Sequence, residues 1–531
     1  MNRTLPLAVL ASFAAAAAVA PIAKAQTGAA STLTLAVAES VTSMDPHYLN
    51  SPSNKNVLCN IYDALTDADD TYNMTASLAE SWKLIDDNTW EFKLKPGIKF
   101  HDGQPLTAED VRASFTRVPK VPNAPAPFTT YIRMVKSMTV VDPLTIRFHT
   151  SGLDPILSNE VAQIRIIQAK WEQATNDDFN SGRAAIGTGP VRFVSYNPGS
   201  GIELAKNQNA WSKPVAWEKI NFRFVPDGAA RVAALLAGDV QVIDLVPSDS
   251  LPTLRGNNKV HVSTARVGLR YIFLALDQSR DGPTPFVTGH DGQPLEKNPL
   301  KDLRVRKALS LAINRPLMVE RVMEGLATAT SQMMAAGGFG SVPDLPPPPF
   351  DPEQAKKLLA EAGYPSGFKV TIHSPRGRYV NDVRVVQAIA QMWQRIGVTA
   401  AVDLQPWSTY ASRVHRGQYS IMLGAVAPVT GESSQVLRSA IGTYDPPTGW
   451  GGFNWGKYTN PEFDALLSKA QLTADDKTRE KMLQDLMRMG AADVANIPLH
   501  LQRTTWAMQA NLRYGGRSDD QTRINEIQIL K

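Results

Sequence analysis

Apolar and polar positions along this chain change between two periods, and the change predicts alternating strands and helices. Thr32–Ala38 alternates as a strand does, because successive side chains of a strand point to opposite faces. Asn221–Val225 and Val240–Leu245 read as further strands, and Ala229–Ala237 between them predicts a helix. Strand, helix and strand in succession are typical of a layered α/β fold.

A second series of strands and helices begins near Tyr271. Leu303–Ile313 has helical spacing, and Asp351 followed by Pro352 places an N-cap before proline at the first helical position. The rest of this series predicts the elements Lys369–His373, Val380–Arg395, Val398–Leu404, Ser420–Leu423, Pro461–Ala470 and Asp475–Ala491. Since one hydrophobic core rarely exceeds about 300 residues, the 531-residue chain is expected to form two or three lobes.

The segment from Ala79 to Arg117 predicts a hairpin, a turn and a capped helix in fixed order. Trp82–Ile85 and Thr89–Leu94 are β-rich, and the Asp-Asp-Asn between them is typical of a turn. Thr107 is the predicted N-cap of a helix whose first turn carries two carboxylates, which favour the positive helix end. The tryptophans of the hairpin, Trp82 and Trp90, are predicted to pack in the core.

The N-terminal segment predicts export. Arg3 supplies a positive charge, Leu5–Ala20 is apolar, and Ala-Lys-Ala ends at Ala25 as a cleavage site. The alternative is a membrane helix that stays attached, but the apolar segment is shorter than the ~20 residues that span a bilayer. No cysteine follows the predicted cleavage site, so a lipoprotein is not expected, and we predict a periplasmic protein.

Composition and charge exclude several classes of protein. The chain is 43% hydrophobic and 20% charged, as soluble globular proteins are, and its formal charge of +5 is spread along the chain without a basic run. Nucleic-acid binding is therefore not predicted. The 8 histidines stand singly and the chain has one cysteine, so neither a metal site nor a cofactor is predicted.

No catalytic motif of the familiar kinds is present. G-x-S-x-G, H-E-x-x-H and C-x-x-C are absent, and Gly451–Lys457 departs from a phosphate-binding loop because Tyr458 stands where Ser or Thr is needed. No catalytic residue is predicted. A hydrolase with two distant carboxylates stays open as the less favoured alternative.

The order of motifs in Ala79–Arg117 resembles that of the family 5 extracellular solute-binding proteins, the peptide-binding components of ABC importers. The segments DLRVRKALSLAINR, FDPEQAKKLLAEAGY and WGKYTNPEFDALL extend the resemblance along the chain. It implies an α/β, periplasmic binding protein-like fold of the cluster C type, with two main lobes, a hinge and an inserted third subdomain.

The resemblance also implies where the lobes begin and end. After a signal peptide at 1–25, the first lobe is discontinuous, the inserted subdomain interrupts it, and the second lobe follows. The implied ranges are 26–54, 189–270 and 497–531 for lobe I, 55–188 for the inserted subdomain, and 271–496 for lobe II. Two crossings between the main lobes, near 268–272 and 496–501, predict a hinge that closes around a ligand.

The ligand site implied by the resemblance is a cleft between lobes, since small-ligand pockets are mostly apolar with a few placed polar groups. Its strand-like segments would pair with an extended ligand, and its aromatic rings would cover that ligand. The implied ligand-binding residues are Tyr48, Leu49, Asn50, Phe128, Tyr271, Phe273, Trp407, Arg413, Gly424, Ala425, Val426, Glu432 and Trp455.

One position departs from the peptide-binding members. Where they carry an aspartate for the ligand's ammonium group, this chain has Pro428, and Glu432 lies four residues further on. Either Glu432 supplies the missing charge or the ligand has no ammonium group there. We favour the second interpretation, with Arg413 as the residue for an anionic group of the ligand.

The function implied by the resemblance is capture of a peptide-like or related small solute and its delivery to the permease subunits of an ABC importer. A non-peptide solute is the alternative: glutathione, an opine, an oligosaccharide or a metal chelate. The receptor is predicted to be monomeric and not to be an enzyme.

Overall fold

The computed structural model describes residues 32–69, 74–124, 128–445 and 449–530. The predicted signal peptide and its cleavage after Ala25 lie outside these residues. Within the described ranges, no helix combines the length and the apolar character that a membrane span requires.

The first of two seven-stranded sheets collects segments from three parts of the chain. Its opening strand, Thr32–Val37, pairs in parallel with Lys219–Phe224 and Val242–Asp244, as the strand-helix-strand pattern predicts. In spatial order the strands are Val260–Thr264, Thr505–Gln509, Val242–Asp244, Thr32–Val37, Lys219–Phe224, Gly201–Lys206 and Val191–Asn197. Leu33, Leu35 and Phe222 are among the residues of its core.

The second seven-stranded sheet lies in the later part of the chain. At its centre, Arg270–Leu276 pairs antiparallel with both Ile421–Val426 and Ile497–Gln502. In spatial order its strands are Thr399–Gln405, Lys369–Pro375, Ile421–Val426, Arg270–Leu276, Ile497–Gln502 and Ala327–Ala329, with Val287–Thr288 also beside Lys369–Pro375.

A smaller antiparallel sheet contains the predicted hairpin. Ala79–Asp86 pairs with Thr89–Leu94, which also pairs with Thr145–Thr150, and Val135–Asp142 completes the four strands. The helix Ala108–Arg117 follows, and the Asp110 carboxylate accepts hydrogen bonds from the Thr107 backbone N–H (2.8 Å) and hydroxyl (2.9 Å). The predicted hairpin and capped helix are confirmed.

The α-helices cover the faces of these sheets. The first of them, Pro52–Leu58, ends before Cys59, where a turn follows. The α-helices are Pro52–Leu58, Ala108–Arg117, Leu157–Glu160, Asn176–Asn180, Gly228–Ala237, Leu251–Arg255, Leu303–Leu311, Arg315–Leu317, Pro352–Glu361, Asp382–Gln394, Trp407–His415, Ser433–Ala440, Pro461–Gln471 and Asp476–Ala492.

The chain crosses between the two large sheets at two places. The first crossing lies between Thr264 and Arg270, close to the predicted position. The second lies between Gln502 and Thr505, because Ile497–Gln502 pairs within the second sheet. The lobe ranges stay a prediction, but the predicted start of the last lobe I segment at 497 is too early for this strand pairing.

Candidate ligand-binding site

Two hydrogen bonds join distant segments of the chain across a cleft. The Asn159 side-chain amide donates to the Thr430 carbonyl (2.6 Å), and the Gln163 amide donates to the Val429 carbonyl (2.9 Å). Asn159 and Gln163 follow the four-stranded sheet, whereas Val429 and Thr430 follow the second-sheet strand Ile421–Val426. We call these two bonds the clasp, since they hold the two sides of the cleft together.

A large cavity of about 720 Å³ lies on one side of the clasp. Its volume is within the range of about 300–1,000 Å³ that is usual for small-molecule pockets. The hairpin of the four-stranded sheet faces loops of the second-sheet region across it. Among the residues that line it are Trp82, Trp90, Asn159, Arg266, Phe339, Pro428, Glu432, Asp476 and Arg479.

Both hairpin tryptophans reach this cavity. The Trp90 indole N–H donates to the Asp154 carbonyl (2.9 Å), and Trp82 stacks on Phe92 with ring centroids 6.4 Å apart. The core prediction holds for Trp90, which is buried, and in part for Trp82, which packs against the same core while half-exposed. Both residues also line the cavity, which the sequence analysis did not predict.

The acidic residues of the cavity are already paired. Arg479 lies 3.3 Å from a Glu432 carboxylate oxygen and 2.8 Å from an Asp476 oxygen, and its guanidinium stacks 4.9 Å from the Phe339 ring centroid. The Ser434 hydroxyl also donates to Glu432. Burial raises the pKa of Glu432, and Arg479 opposes that shift. Glu432 therefore lines the cavity but has little free capacity for a ligand's ammonium group.

A small cavity of about 10 Å³ lies on the other side of Gln163. It has room for about one water-sized group. Its apolar side includes Leu49 and Phe128, both predicted from the sequence. Its lining residues are Pro46, Leu49, Asn54, Lys55, Leu58, Phe128, Gln163 and Arg165.

Lys55 joins the small cavity to the clasp. Its ammonium group donates to the Gln163 side-chain oxygen (2.9 Å), and the amide nitrogen of Gln163 donates across the cleft. The same ammonium lies 5.6 Å from the Phe128 ring centroid and 5.4 Å from that of Tyr131, within the range of cation–π attraction. Burial, followed by the positive charge of Arg165, lowers the pKa of Lys55 to about 7.

The loop before this cavity is fixed by buried polar contacts. Arg117 donates to both carboxylate oxygens of Asp45, at 2.8 and 2.6 Å. His47 donates from Nε2 to the Arg165 carbonyl (2.8 Å) and accepts at Nδ1 from Arg117 (3.1 Å), which assigns its neutral tautomer. Burial, and then the charge of Arg117, lower the pKa of His47 to about 4. The loop is therefore positioned by its own side chains, independently of a ligand.

The sequence matches a known family over most of its length. The family model described as bacterial extracellular solute-binding proteins, family 5, matches residues 73–446. The chain belongs to this family. It is thus an ABC-type solute-binding protein, and its family and fold are those of binding proteins.

Curated relatives of this family 5 protein include the glutathione-binding protein GsiB of Pectobacterium atrosepticum, 27% identical over 493 residues and 91% of each chain. Heme-binding protein A of Haemophilus influenzae is 27% identical over 432 residues, which cover 76% of this chain and 75% of the relative.

Solved structures similar to this one show the fold. The periplasmic binding protein DppA of Helicobacter pylori, in complex with the peptide STSA, has a TM-score of 0.76 and 22% identity, covering 94% of this chain and 98% of its own. NikZ of Campylobacter jejuni, in complex with Ni(L-His), has a TM-score of 0.78 and 18% identity, covering 93% and 99%. The predicted periplasmic binding protein-like α/β fold is confirmed.

The family 5 protein brings part of the predicted site together at the cavities. Leu49 and Phe128 line the small cavity, and Glu432 lines the large one. Asn50 donates to the Tyr131 hydroxyl (3.3 Å) beside the small cavity, while Tyr48 is half-buried in the same loop and lines neither cavity.

Three predicted aromatic residues lie in the core instead. Tyr271 stacks on Phe273 with centroids 5.5 Å apart, and Phe273 packs 6.4 Å from Trp455. The Tyr271 hydroxyl donates to Asn496 (2.7 Å), and a β-carbon on Gly424 would lie only 2.9 Å from the rings of Phe273 and Trp455. These rings line neither cavity because they fill the space beside the second sheet.

The predicted pairing strand keeps one edge open. Gly424, Ala425 and Val426 pair on one side with residues 273, 272 and 271. On the other side, the strand pairing with Lys369–Pro375 reaches only Met422 among the described residues. The role of this backbone in pairing with an extended ligand stays a prediction.

Trp407 and Arg413 lie away from both cavities. Trp407 is 37% exposed and stacks with the guanidinium of Arg378 at 4.9 Å, and Arg413 is exposed on the same helix, Trp407–His415. The prediction of Arg413 as the residue for an anionic group is not supported by this placement.

The residues that sequence reasoning missed are Lys55, Asn159, Gln163 and Arg165. Lys55 and Arg165 lie 110 positions apart, and no motif marks either of them. Residues of these types are common on surfaces, so only the tertiary fold identifies them. Across the described ranges, no three His, Cys, Asp or Glu side chains are grouped as a metal site requires.

Proposed function

We propose that this family 5 protein is the substrate receptor of an ABC importer and binds a peptide-like or related small solute in the cleft. The observation that carries the proposal is the clasp. Gln163 and Asn159 donate to the carbonyls of Val429 and Thr430, and cavities lie on both sides of these bonds. Side-chain amides thus occupy backbone acceptors that the N–H groups of an extended solute would use.

The chemistry near Pro428 favours a solute that places no free ammonium group there. Proline offers no side-chain acceptor, and Glu432 is engaged by Arg479 and Ser434. Leaving an ammonium group buried without a carboxylate partner would cost several kcal/mol, on the order of 3–5. The glutathione-binding relatives, which align with 91% of this chain, support a modified peptide as the solute.

The wider role follows from the family. We propose that the protein is exported to the periplasm, that its signal peptide is cleaved after Ala25, and that it acts there as a monomer without a lipid anchor. Its partners would be the solute and the permease subunits of the importer. We propose no catalytic role for it.

A thermal-shift screen followed by recovery of the solute tests this function. The panel consists of glutathione, di- and tripeptides, agropinic acid, nickel–histidine and an oligosaccharide. A solute that binds the folded state raises the melting temperature by mass action, and mass spectrometry should recover it unchanged. Stabilisation by no member, or recovery of a hydrolysed product, would contradict the proposal.

A further inference from the structure

We infer that Lys55 and Arg165 form a subsite for a carboxylate group of the solute. This inference rests on the proposed function, and it names the chemical class of the solute: a small molecule that carries at least one free carboxylate. The subsite lies at the small cavity, beside Leu49 and Phe128 and next to Gln163 of the clasp.

Arg165 is the first reason. Its side chain lines the small cavity and only 7% of the residue is exposed. Within the described ranges, no ion pair and no side-chain hydrogen bond involves its guanidinium group. A guanidinium has five N–H donors, and no hydrogen bond of the described residues uses those of Arg165. A bound anion would supply the missing acceptors.

Lys55 is the second reason. Its ammonium group has three donors, and one hydrogen bond, to Gln163, is formed with the described residues. The positive charge of Arg165 lies close enough to disfavour the charged form of Lys55. The lowered pKa of Lys55, at about 7, is consistent with this arrangement.

Three carboxylates act on the two cations by charge without an ion pair. The charge of Arg165 favours the ionised forms of Asp63 and Asp67, and that of Asp519 favours the charged form of Lys55. Asp63 accepts from Thr188 (2.7 Å) and Trp211 (2.9 Å), and Asp67 pairs with Arg523 at 2.9 Å.

Asp519, whose charge raises the pKa of Lys55, is in turn 2.7 Å from Arg517. Among the residues that the structure describes, no carboxylate forms an ion pair with Lys55 or Arg165. The subsite therefore has two basic groups and no carboxylate in direct contact.

Size and polarity select a carboxylate. The small cavity has room for one water-sized group, so one oxygen of a carboxylate would enter it while the rest of the group stays in the cleft. Its apolar side, from Pro46, Leu49, Leu58 and Phe128, keeps water away and strengthens the attraction between the charges. A solute carboxylate that enters from the cleft at Gln163 would thus bind beside the clasp, where the cleft closes.

Calorimetry with matched solutes tests the subsite. The probes are glutathione, agropinic acid, the peptide STSA and their carboxyl-amidated forms. Wild-type protein is expected to bind at least one acid at least tenfold more tightly than its amide. Arg165→Met and Lys55→Met should each weaken the acid at least tenfold and leave the amide within threefold.

Two matched variants serve as controls. Arg255→Met and Lys213→Met remove exposed cations and should leave the affinity of the acid within twofold. The comparison of each acid with its amide uses the wild-type protein, so it tests the subsite even if the subsite variants do not fold. Because an anion beside Lys55 raises its pKa from about 7, binding at pH 7 should take up about half a proton in buffers of different ionisation enthalpy.

The outcomes separate this inference from the proposed function. If an acid binds but its amide binds equally well with no proton uptake, the subsite is overturned and the receptor function stands. The same holds if neutral solutes alone bind. If none of the probes and no member of the thermal-shift panel binds, the proposed function and the subsite both fail.

Discussion

The two sides of the cleft differ in how their charges are balanced. On one side, Glu432 and Asp476 both have Arg479 as their ion-pair partner. On the other, Lys55 and Arg165 have no carboxylate in direct contact among the described residues. The first group is stable without a solute, whereas the second is completed by one.

This difference shows why sequence position is a poor guide to ligand contacts. Glu432 was the natural candidate because it lies near the position of the lost aspartate, yet its charge is used within the protein. The unbalanced charges come from the helix Pro52–Leu58 and from Arg165, on the opposite side. Variants that change one side of the cleft at a time therefore test the difference.

The largest expected effect concerns the buried ion pair that fixes the loop before the small cavity. Asp45→Asn leaves the buried Arg117 without its carboxylate, since both residues are at most 2% exposed. The free energy of unfolding should fall by about 3–5 kcal/mol, measured by urea denaturation. Glu353→Gln, in an exposed pair with Lys356, is the control and should cost less than about 1 kcal/mol. Equal losses in the two variants would contradict the prediction.

Acid should weaken the buried contacts that His47 makes in the same loop. The pKa of His47 is lowered to about 4, from about 6.5 in the unfolded chain. Its contribution to stability is therefore present above pH 6.5 and is lost as the pH falls towards 4, up to about 3 kcal/mol. His47→Gln should flatten the dependence of unfolding free energy on pH in this range. His290→Gln, at an exposed site, should leave the dependence unchanged, and a steep curve in both variants would argue against this role.

The balanced side should matter for stability more than for binding. Glu432→Gln weakens the pair with buried Arg479, and the protein should lose about 1–3 kcal/mol of unfolding free energy. Its affinity for the solute should change less than threefold in calorimetry. If the wild type binds peptides with free amino ends tightly and this variant binds them at least tenfold more weakly, Glu432 is the anchor of the ammonium group.

The smallest effect is expected at the clasp. Gln163→Ala removes the acceptor of the Lys55 ammonium group and one neutral hydrogen bond to the Val429 carbonyl. The bond across the cleft is worth about 1 kcal/mol, which is roughly a fivefold shift towards the open cleft. Small-angle scattering of the solute-free protein should show a larger radius of gyration in the variant, and saturating solute should reduce it. Identical scattering profiles for the wild type and the variant, each with and without solute, would indicate a rigid cleft.

Local chemistry predicted the elements better than the site. The hairpin and the Thr107 cap depend on neighbouring residues, so the sequence identified them. Tyr271 and Phe273 lie on a central strand whose two faces are both covered. Their burial in the core therefore depends on tertiary packing. Lys55 and Arg165 line one cavity because the loop from Asp45 folds against the segment at Arg165, which no local pattern encodes.

A crystal structure with a bound carboxylate solute tests the central claim most directly. We expect a solute carboxylate oxygen within about 3.2 Å of Lys55 Nζ and of the Arg165 guanidinium, with Glu432 still paired to Arg479. A solute whose carboxylate lies against Arg413 or Arg266, with no contact to Lys55 or Arg165, would contradict it.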